Sequence, residues 1–207
     1  MNKIFTAAIL LIIAMASIFS TCKKGGLGCA NTVYNFQIFE NVTPDKDSIH
    51  IKDTIFLKVN APNQLSDLES GSKIDYSNAS NLGNVVTLLR FLPANTVQGG
   101  MNNFKLILLK GTEVNAVDPL SQKDFLFAEE NGYYKFNLAI IPKDTGKYVL
   151  TIGNAANVFR RNDPCSKAGF SINFEATDQH FYLLNLWRPD LILDDQGKTK
   201  VYYFKVY

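Results

Sequence analysis

The chain has 207 residues, enough for one domain with a proper core. Its 21 basic and 19 acidic side chains leave a net charge of +2, which excludes the strongly basic surface that a nucleic-acid partner requires. Its 15 Phe and 9 Tyr, with few Ala/Glu/Lys-rich runs and no low-complexity segment or internal repeat, lean toward an all-β fold.

One positive charge, Lys3, precedes an uncharged run over 4–19 (IFTAAILLIIAMASIF). A basic start followed by an apolar stretch is the layout of a secretory signal. The run is shorter than the roughly 20 apolar residues of a stable membrane span, and no positive cluster follows it before Lys23 and Lys24. A retained single-span anchor is the alternative. Phe19-Ser20-Thr21-Cys22 resembles the lipobox of bacterial lipoproteins. It departs from the usual pattern at Phe19, where Leu is preferred, and at Thr21, where Gly, Ala or Ser is preferred. The looser form followed by Lys-Lys is similar to that of Bacteroidota lipoproteins. The resemblance implies cleavage before Cys22, a diacylglyceryl group on its thiol, an acyl chain on its amine, and anchoring in the outer membrane of a bacterial envelope, facing either side. Each buried lipid methylene adds about 0.8 kcal/mol, so several chains on one residue hold firmly. This divides the chain into a signal over 1–21, a lipidated tether over 22–30 carrying Lys23, Lys24, Gly25, Gly26 and Gly28, and a single domain over 31–207. The signal removes only Lys3 among the charged residues, so the mature chain is nearly neutral. With Cys22 acylated, Cys29 and Cys165 remain. An even pair in an exported protein reads as a disulfide; two free thiols are the alternative.

Beyond the tether, apolar residues recur at every second position over 54–59, 133–141, 147–152 and 169–175, the period of half-buried strands, and four further stretches read as strands too. The stretches are 32–40 (TVYNFQIFE), 54–59 (TIFLKV), 85–92 (VVTLLRFL), 103–109 (NFKLILL), 133–141 (YYKFNLAII), 147–152 (KYVLTI), 169–175 (GFSINFE) and 201–207 (VYYFKVY). The stretch 103–109 is apolar on both faces in its second half, which predicts a central strand. Turn residues separate the strands, among them Asn131-Gly132 and the Gly of 144–146 (DTG). The segment 65–69 is read as a possible helical turn, and 116–130 as a long connection with Phe125 and Phe127 buried. The spacing of Phe181, Leu184 and Trp187 predicts a short helix over 177–187, capped by Thr177 or Asp178 and ended by Pro189. That helix and the last strand read as an appendage, 177–207, on a β-sandwich.

Asp144-Thr-Gly146-Lys-Tyr148 resembles the D-x-G-x-Y element of immunoglobulin-like sandwiches. The resemblance implies a tyrosine corner, with the Tyr148 hydroxyl bonding back to the chain upstream. The cysteine of the family's inter-sheet bridge would stand at Leu150, so the likeness is to domains without that bridge. It further implies that 148–153 is strand F and 169–175 strand G. Cys165 then lies in the F–G loop, at the pole where the first strand begins, and a Cys29–Cys165 disulfide follows. An ordinary glycine turn before a strand is the alternative reading of the motif.

No metalloprotease, P-loop, nucleophile-elbow or C-x-x-C motif occurs, and the two histidines, His50 and His180, are far apart in sequence. His180 beside Phe181 reads as a packing or surface residue. The acidic pairs Asp45/Asp47 and Asp194/Asp195 lack the rest of a calcium ligand set and read as solvated turns. No catalytic residue, metal site or cofactor is expected. Arg160, Arg161 and Lys167, near Asp163, form a candidate recognition loop, since Arg pairs suit carboxylates and phosphates; internal ion pairing is the competing reading. Tyr182, Trp187, Tyr202 and Tyr203 offer either a sugar-stacking surface or simple packing. As a whole, "CKKGG", "IPKDTGKYVLTIGNA" and "DQHFYLLNLW…VYYFKV" resemble small Bacteroidota lipoproteins of unknown function with an immunoglobulin-like sandwich. The expected function is a non-enzymatic, lipid-anchored binding or accessory module for a protein or glycan. The alternatives are a subunit of a surface assembly that pairs through 201–207, or a hydrolase built from scattered carboxylates.

Overall fold

A computed structural model describes residues 32–114, 116–154, 157–175, 179–192 and 194–207. The signal, Cys22, Cys29 and the expected caps Thr177 and Asp178 lie outside the described residues. The strands, in order, are β1 (Thr32–Thr43), β2 (Ser48–Ile49), β3 (Ile55–Pro62), β4 (Gln64–Ser66), β5 (Lys73–Asp75), β6 (Ala79–Ser80), β7 (Gly83–Phe91), β8 (Val97–Gly99), β9 (Phe104–Lys110), β10 (Thr112–Val114), β11 (Gln122–Leu126) and β12 (Ala128–Glu130). They continue with β13 (Tyr133–Pro142), β14 (Gly146–Asn154), β15 (Val158–Arg160), β16 (Asp163–Phe174) and β17 (Val201–Val206). Two short helices, α1 (Phe181–Trp187) and α2 (Asp195–Lys198), lie between β16 and β17. Among the described residues no helix is long and apolar enough to cross a membrane.

The chain is an all-β, mainly antiparallel sandwich. One sheet runs β12-β13-β3-β1-β16-β15-β6, with β9 also on β13; the other runs β10-β11-β7-β14-β17-β2, with β8 on β7. Alternate residues of each strand point inward and fill one core, in which Leu57, Leu88, Leu138, Leu150, Tyr202 and Phe204 are fully buried. Fully burying each such apolar side chain is worth about 1.5–3 kcal/mol. The pairings β1–β3, β3–β13, β13–β9 and β7–β14 reproduce the A–B–E–D and C–F neighbours of an immunoglobulin-like sandwich. Local chemistry agrees with them. Asn131 (φ 52°) and Gly132 (φ 79°) are both left-handed between Glu130 and Tyr133, which pair across the hairpin. A two-residue turn of this kind needs positive φ twice and favours Asn-Gly.

Several expectations are corrected. Residues 169–174 do not pair with β14: they lie parallel to β1, from Thr32 opposite Ser166 to Glu40 opposite Phe174. The place beside β14 is taken by β17, with Tyr148 opposite Phe204. Local sequence shows that both segments are strands, but it carries no information about partners. The final strand is therefore part of the sandwich, and 177–207 is no appendage. Cys165 lies inside β16 rather than in a loop. The stretch 103–109 forms β9, which pairs with β13 alone, so its apolar character does not mark a central strand. The predicted connection 116–130 contains β11 and β12, with Phe125 buried between the sheets. The segment 65–69 is β4 and the turn after it, in which Gly71 N–H donates to the Asp67 carbonyl at 2.8 Å. α1 begins later than expected, after His180 (φ 59°), which makes no side-chain cap bond. It packs Leu183 and Leu184 on Val149 and Tyr203, on the outer face of the second sheet.

Candidate functional site

The Tyr148 hydroxyl, at the start of β14, donates to the carbonyl of Asp144 at 3.2 Å, with that of Thr145 at 3.4 Å. The ring is buried, and desolvation raises the pKa of the phenol. The motif is thus a bracket that fixes the entry to a central strand, and it presents nothing to a ligand.

Of the three expected recognition residues, Arg160 serves the fold. Its Nη1 donates to the Asp75 carbonyl at 3.1 Å, its Nη2 meets Asp163 at 3.3 Å, and its guanidinium lies 5.9 Å from the Tyr76 ring centre. Tyr76 donates to the Ser166 carbonyl at 2.8 Å, and burial pushes its hydroxyl up to about 12. Tyr134 in turn donates to the Tyr76 carbonyl. Arg160 therefore clamps the 73–80 segment to β15 and β16. Arg161 and Lys167 are exposed and make no ion pair among the described residues. The structure does not gather the three cations into one site. Cys165 is disulfide-bonded; Cys29, the expected partner, lies outside the described residues.

The expected packing role of His180 is seen directly. The ring is buried, its Nδ1 lies 3.0 Å from the Tyr203 carbonyl, and its Nε2 lies 3.5 Å from Asp45. Asp45 also accepts from Tyr202 at 2.9 Å, while Asp47 accepts from Ser48 at 2.7 Å and from Tyr182. Asp194 caps α2 through the Gly197 N–H at 2.6 Å. These carboxylates are committed to turns, and among the described residues no group of three His, Cys, Asp or Glu converges to hold a metal. Tyr202 and Tyr203 are buried, Tyr182 is half exposed, and Trp187, partly buried, packs on Phe91 with ring centres 5.5 Å apart.

A concave surface arises where β1 changes partner. Its first part lies along β16, and only its last residues, Asn41 to Thr43, pair with β3. The two strands therefore splay like a fork, leaving a groove of about 750 Å³. Asn35 donates its N–H to Asp67 at 2.9 Å, and its carbonyl accepts from the Leu68 N–H at 2.7 Å, closing one end. Alternate residues of a strand direct their backbone groups to the same edge, so Gln37 and Phe39 present theirs to the groove. The side chains of Gln37, Asn41, Asn60, Gln64 and Ser66 line it, with Lys58 and a single carboxylate, Glu175. Glu175 accepts from Asn41. Phe39 and Leu68 are 52% and 58% exposed at the rim. Backbone groups that pair with no strand among the described residues, carboxamides and exposed apolar side chains suit the binding of a neutral polar ligand by hydrogen bonds and stacking. The sequence carried a faint signal of this surface: the outward positions of 32–40 hold Asn35, Gln37 and Phe39, while nothing local shows that β3 departs.

Behind the groove, on the core side of β1, Glu40 is fully buried. Asn84 Nδ2, on β7, donates to both its carboxylate oxygens at 3.0 and 2.8 Å. Desolvation outweighs this bond and pushes the carboxyl up to about 8.

No protein-family model matches the sequence, and no curated protein matches it. Among solved structures it is similar to a type II cohesin domain from the cellulosome of Acetivibrio cellulolyticus, at 9% identity and a TM-score of 0.24, over 66% of this chain and 91% of that one. A likeness of that size carries no argument about ligand or partner.

Proposed function

We propose that the protein is a lipid-anchored component of a bacterial cell envelope, acylated at Cys22, that acts as a non-enzymatic binding or accessory module for a protein or glycan. The anchor rests on the N-terminal sequence. The binding role rests on one observation, the groove at the β1–β3 fork, with carboxamides and backbone edges that pair with no strand among the described residues at its wall. The Cys29–Cys165 disulfide belongs to the same reading and is supported by the register: Thr32 stands opposite Ser166, so the chain enters β1 beside Cys165.

Two measurements test the proposal. Mass spectrometry of the native N-terminal peptide should find diacylglyceryl-Cys22; an unmodified Cys22, or a chain starting at Met1, refutes the anchor. The mature chain should retain ligands from a panel of envelope proteins and glycans, and Phe39→Asp should abolish retention. Silence across the panel, or retention indifferent to Phe39→Asp, refutes the groove as the site.

A further inference from the structure

Where β7 ends and β14 begins, beneath the last turn of α1, a second hollow of about 460 Å³ has Arg90, Phe91, Pro93, Lys147, Trp187 and Arg188 among its lining residues. Three of these six side chains are cationic. Arg188 is neutralised by Asp190, through Nε at 2.9 Å and Nη2 at 2.7 Å. Among the described residues Arg90 donates to the Thr145 carbonyl, at 3.0 Å. Its Nε lies where a Cβ on Gly146 would come within 3.0 Å, so the glycine leaves the guanidinium room to cross the strand. Lys147 Nζ stands 5.6 Å from the Trp187 ring centre. Neither Arg90 nor Lys147 has a carboxylate partner among the described residues. The adjacent carboxylate, Asp144, accepts from Asn103 at 2.7 Å. Two uncompensated cations therefore share a small concavity with the rings of Trp187 and Phe91, on a chain whose total charge is only +2.

We propose that this hollow binds an acidic sugar. Arg90 and Lys147 hold its carboxylate, and the apolar face of the sugar ring lies against Trp187. A planar guanidinium suits a carboxylate in two-point contact, and charge-assisted bonds in a partly desolvated hollow are stronger than neutral ones. An aromatic wall adds ring contact that a bare anion cannot use. The hollow shares no lining residue with the fork, so this inference stands or falls apart from the groove.

The test is calorimetric titration of the full chain in a polyoxyethylene detergent. The probes are digalacturonate, its neutral methyl ester, inorganic phosphate, and vesicles containing phosphatidylglycerol. Digalacturonate should bind saturably and weaken with added salt. The ester should bind at least about tenfold more weakly, since a charge-assisted bond is lost. Lys147→Gln and Arg90→Gln should each weaken digalacturonate about tenfold, with the thermal midpoint unchanged for Lys147→Gln. Lys105→Gln, exposed on β9 and away from both the hollow and the fork, should change nothing. Equal affinity for acid and ester overturns the proposal. So does phosphate that binds as tightly as digalacturonate and displaces it, which would mean a plain anion hole. Vesicle binding lost in the same variants, with digalacturonate silent, assigns the hollow to lipid headgroups and also overturns it, as does the absence of any binding.

Discussion

Replacing Glu40 by Gln should stabilise the protein, increasingly so as pH rises. Glu40 continues the inward stripe Phe36, Ile38, Glu40, Val42 of β1, all four buried, and bonds only the Asn84 amide. Its carboxyl titrates near 8 in the folded chain against an ordinary 4.5. Below pH 4.5 the carboxyl is protonated in both states and contributes no pH dependence. As pH rises through this window the unfolded chain releases the proton first, so folding loses free energy until the folded form ionises as well. At 1.36 kcal/mol per pH unit, the loss is about 3 kcal/mol at pH 7 and about 5 kcal/mol above pH 8, a large share of a typical domain's stability. Gln keeps the volume, cannot ionise, and brings an N–H donor near the Asn84 Oδ1, which has no bonding partner among the described residues. The assay is urea denaturation of both proteins from pH 5 to 9. The mutant-minus-wild-type difference cancels Asp67 and Asp75, whose pKa values hydrogen bonds hold low in both. The difference should be small at pH 5 and grow to several kcal/mol by pH 9. A difference flat with pH, or one favouring Glu at pH 9, refutes the reasoning.

Three further outcomes are expected. Tyr148→Phe removes the bond to the Asp144 carbonyl and should cost about 1 kcal/mol by denaturant titration with the fold intact; an unchanged midpoint would show that the bracket is held by packing alone. Deleting 201–207 should abolish cooperative thermal unfolding, because Tyr202 and Phe204 belong to the main core; a truncated chain that still melts as one unit would restore the appendage reading. Thiol counting in denaturant without reductant should find Cys165 unreactive, and Cys165→Ser should lower stability by about 2–5 kcal/mol; a reactive Cys165 thiol removes the bridge.

The strands were legible because burial on one face imposes a period of two, which a sequence displays directly. Their neighbours were not. The segments 169–174 and 201–206 both read as strands, and only the three-dimensional register decides that β17, and not β16, lies beside β14. The strand β11 escaped notice because Lys123 and Asp124 interrupt its apolar pattern, and Phe125 is its one fully buried residue. Glu40 was visible in principle: the alternation that buries Phe36 and Ile38 also turns Glu40 inward, against the usual meaning of a carboxylate. The Arg160 cluster shows the opposite error. A run of cations suggests recognition until the Asp75 carbonyl and the Tyr76 ring, remote in sequence, are seen to occupy the guanidinium.

The position of β17 also bears on the order in which the chain can become a protein. Its partners β14 and β2 are separated from each other by nearly one hundred residues of sequence, and β17 is the piece that joins them. A chain emerging N-terminus first, from a ribosome or through a narrow pore, can assemble the β3–β13 sheet while its tail is still threaded. The other sheet stays open along the edge of β14 until the final residues are free. Pairings between distant segments form late and slowly, so this topology delays closure until β17 has emerged. A chain of this kind stays threadable up to that strand and locks only when it arrives.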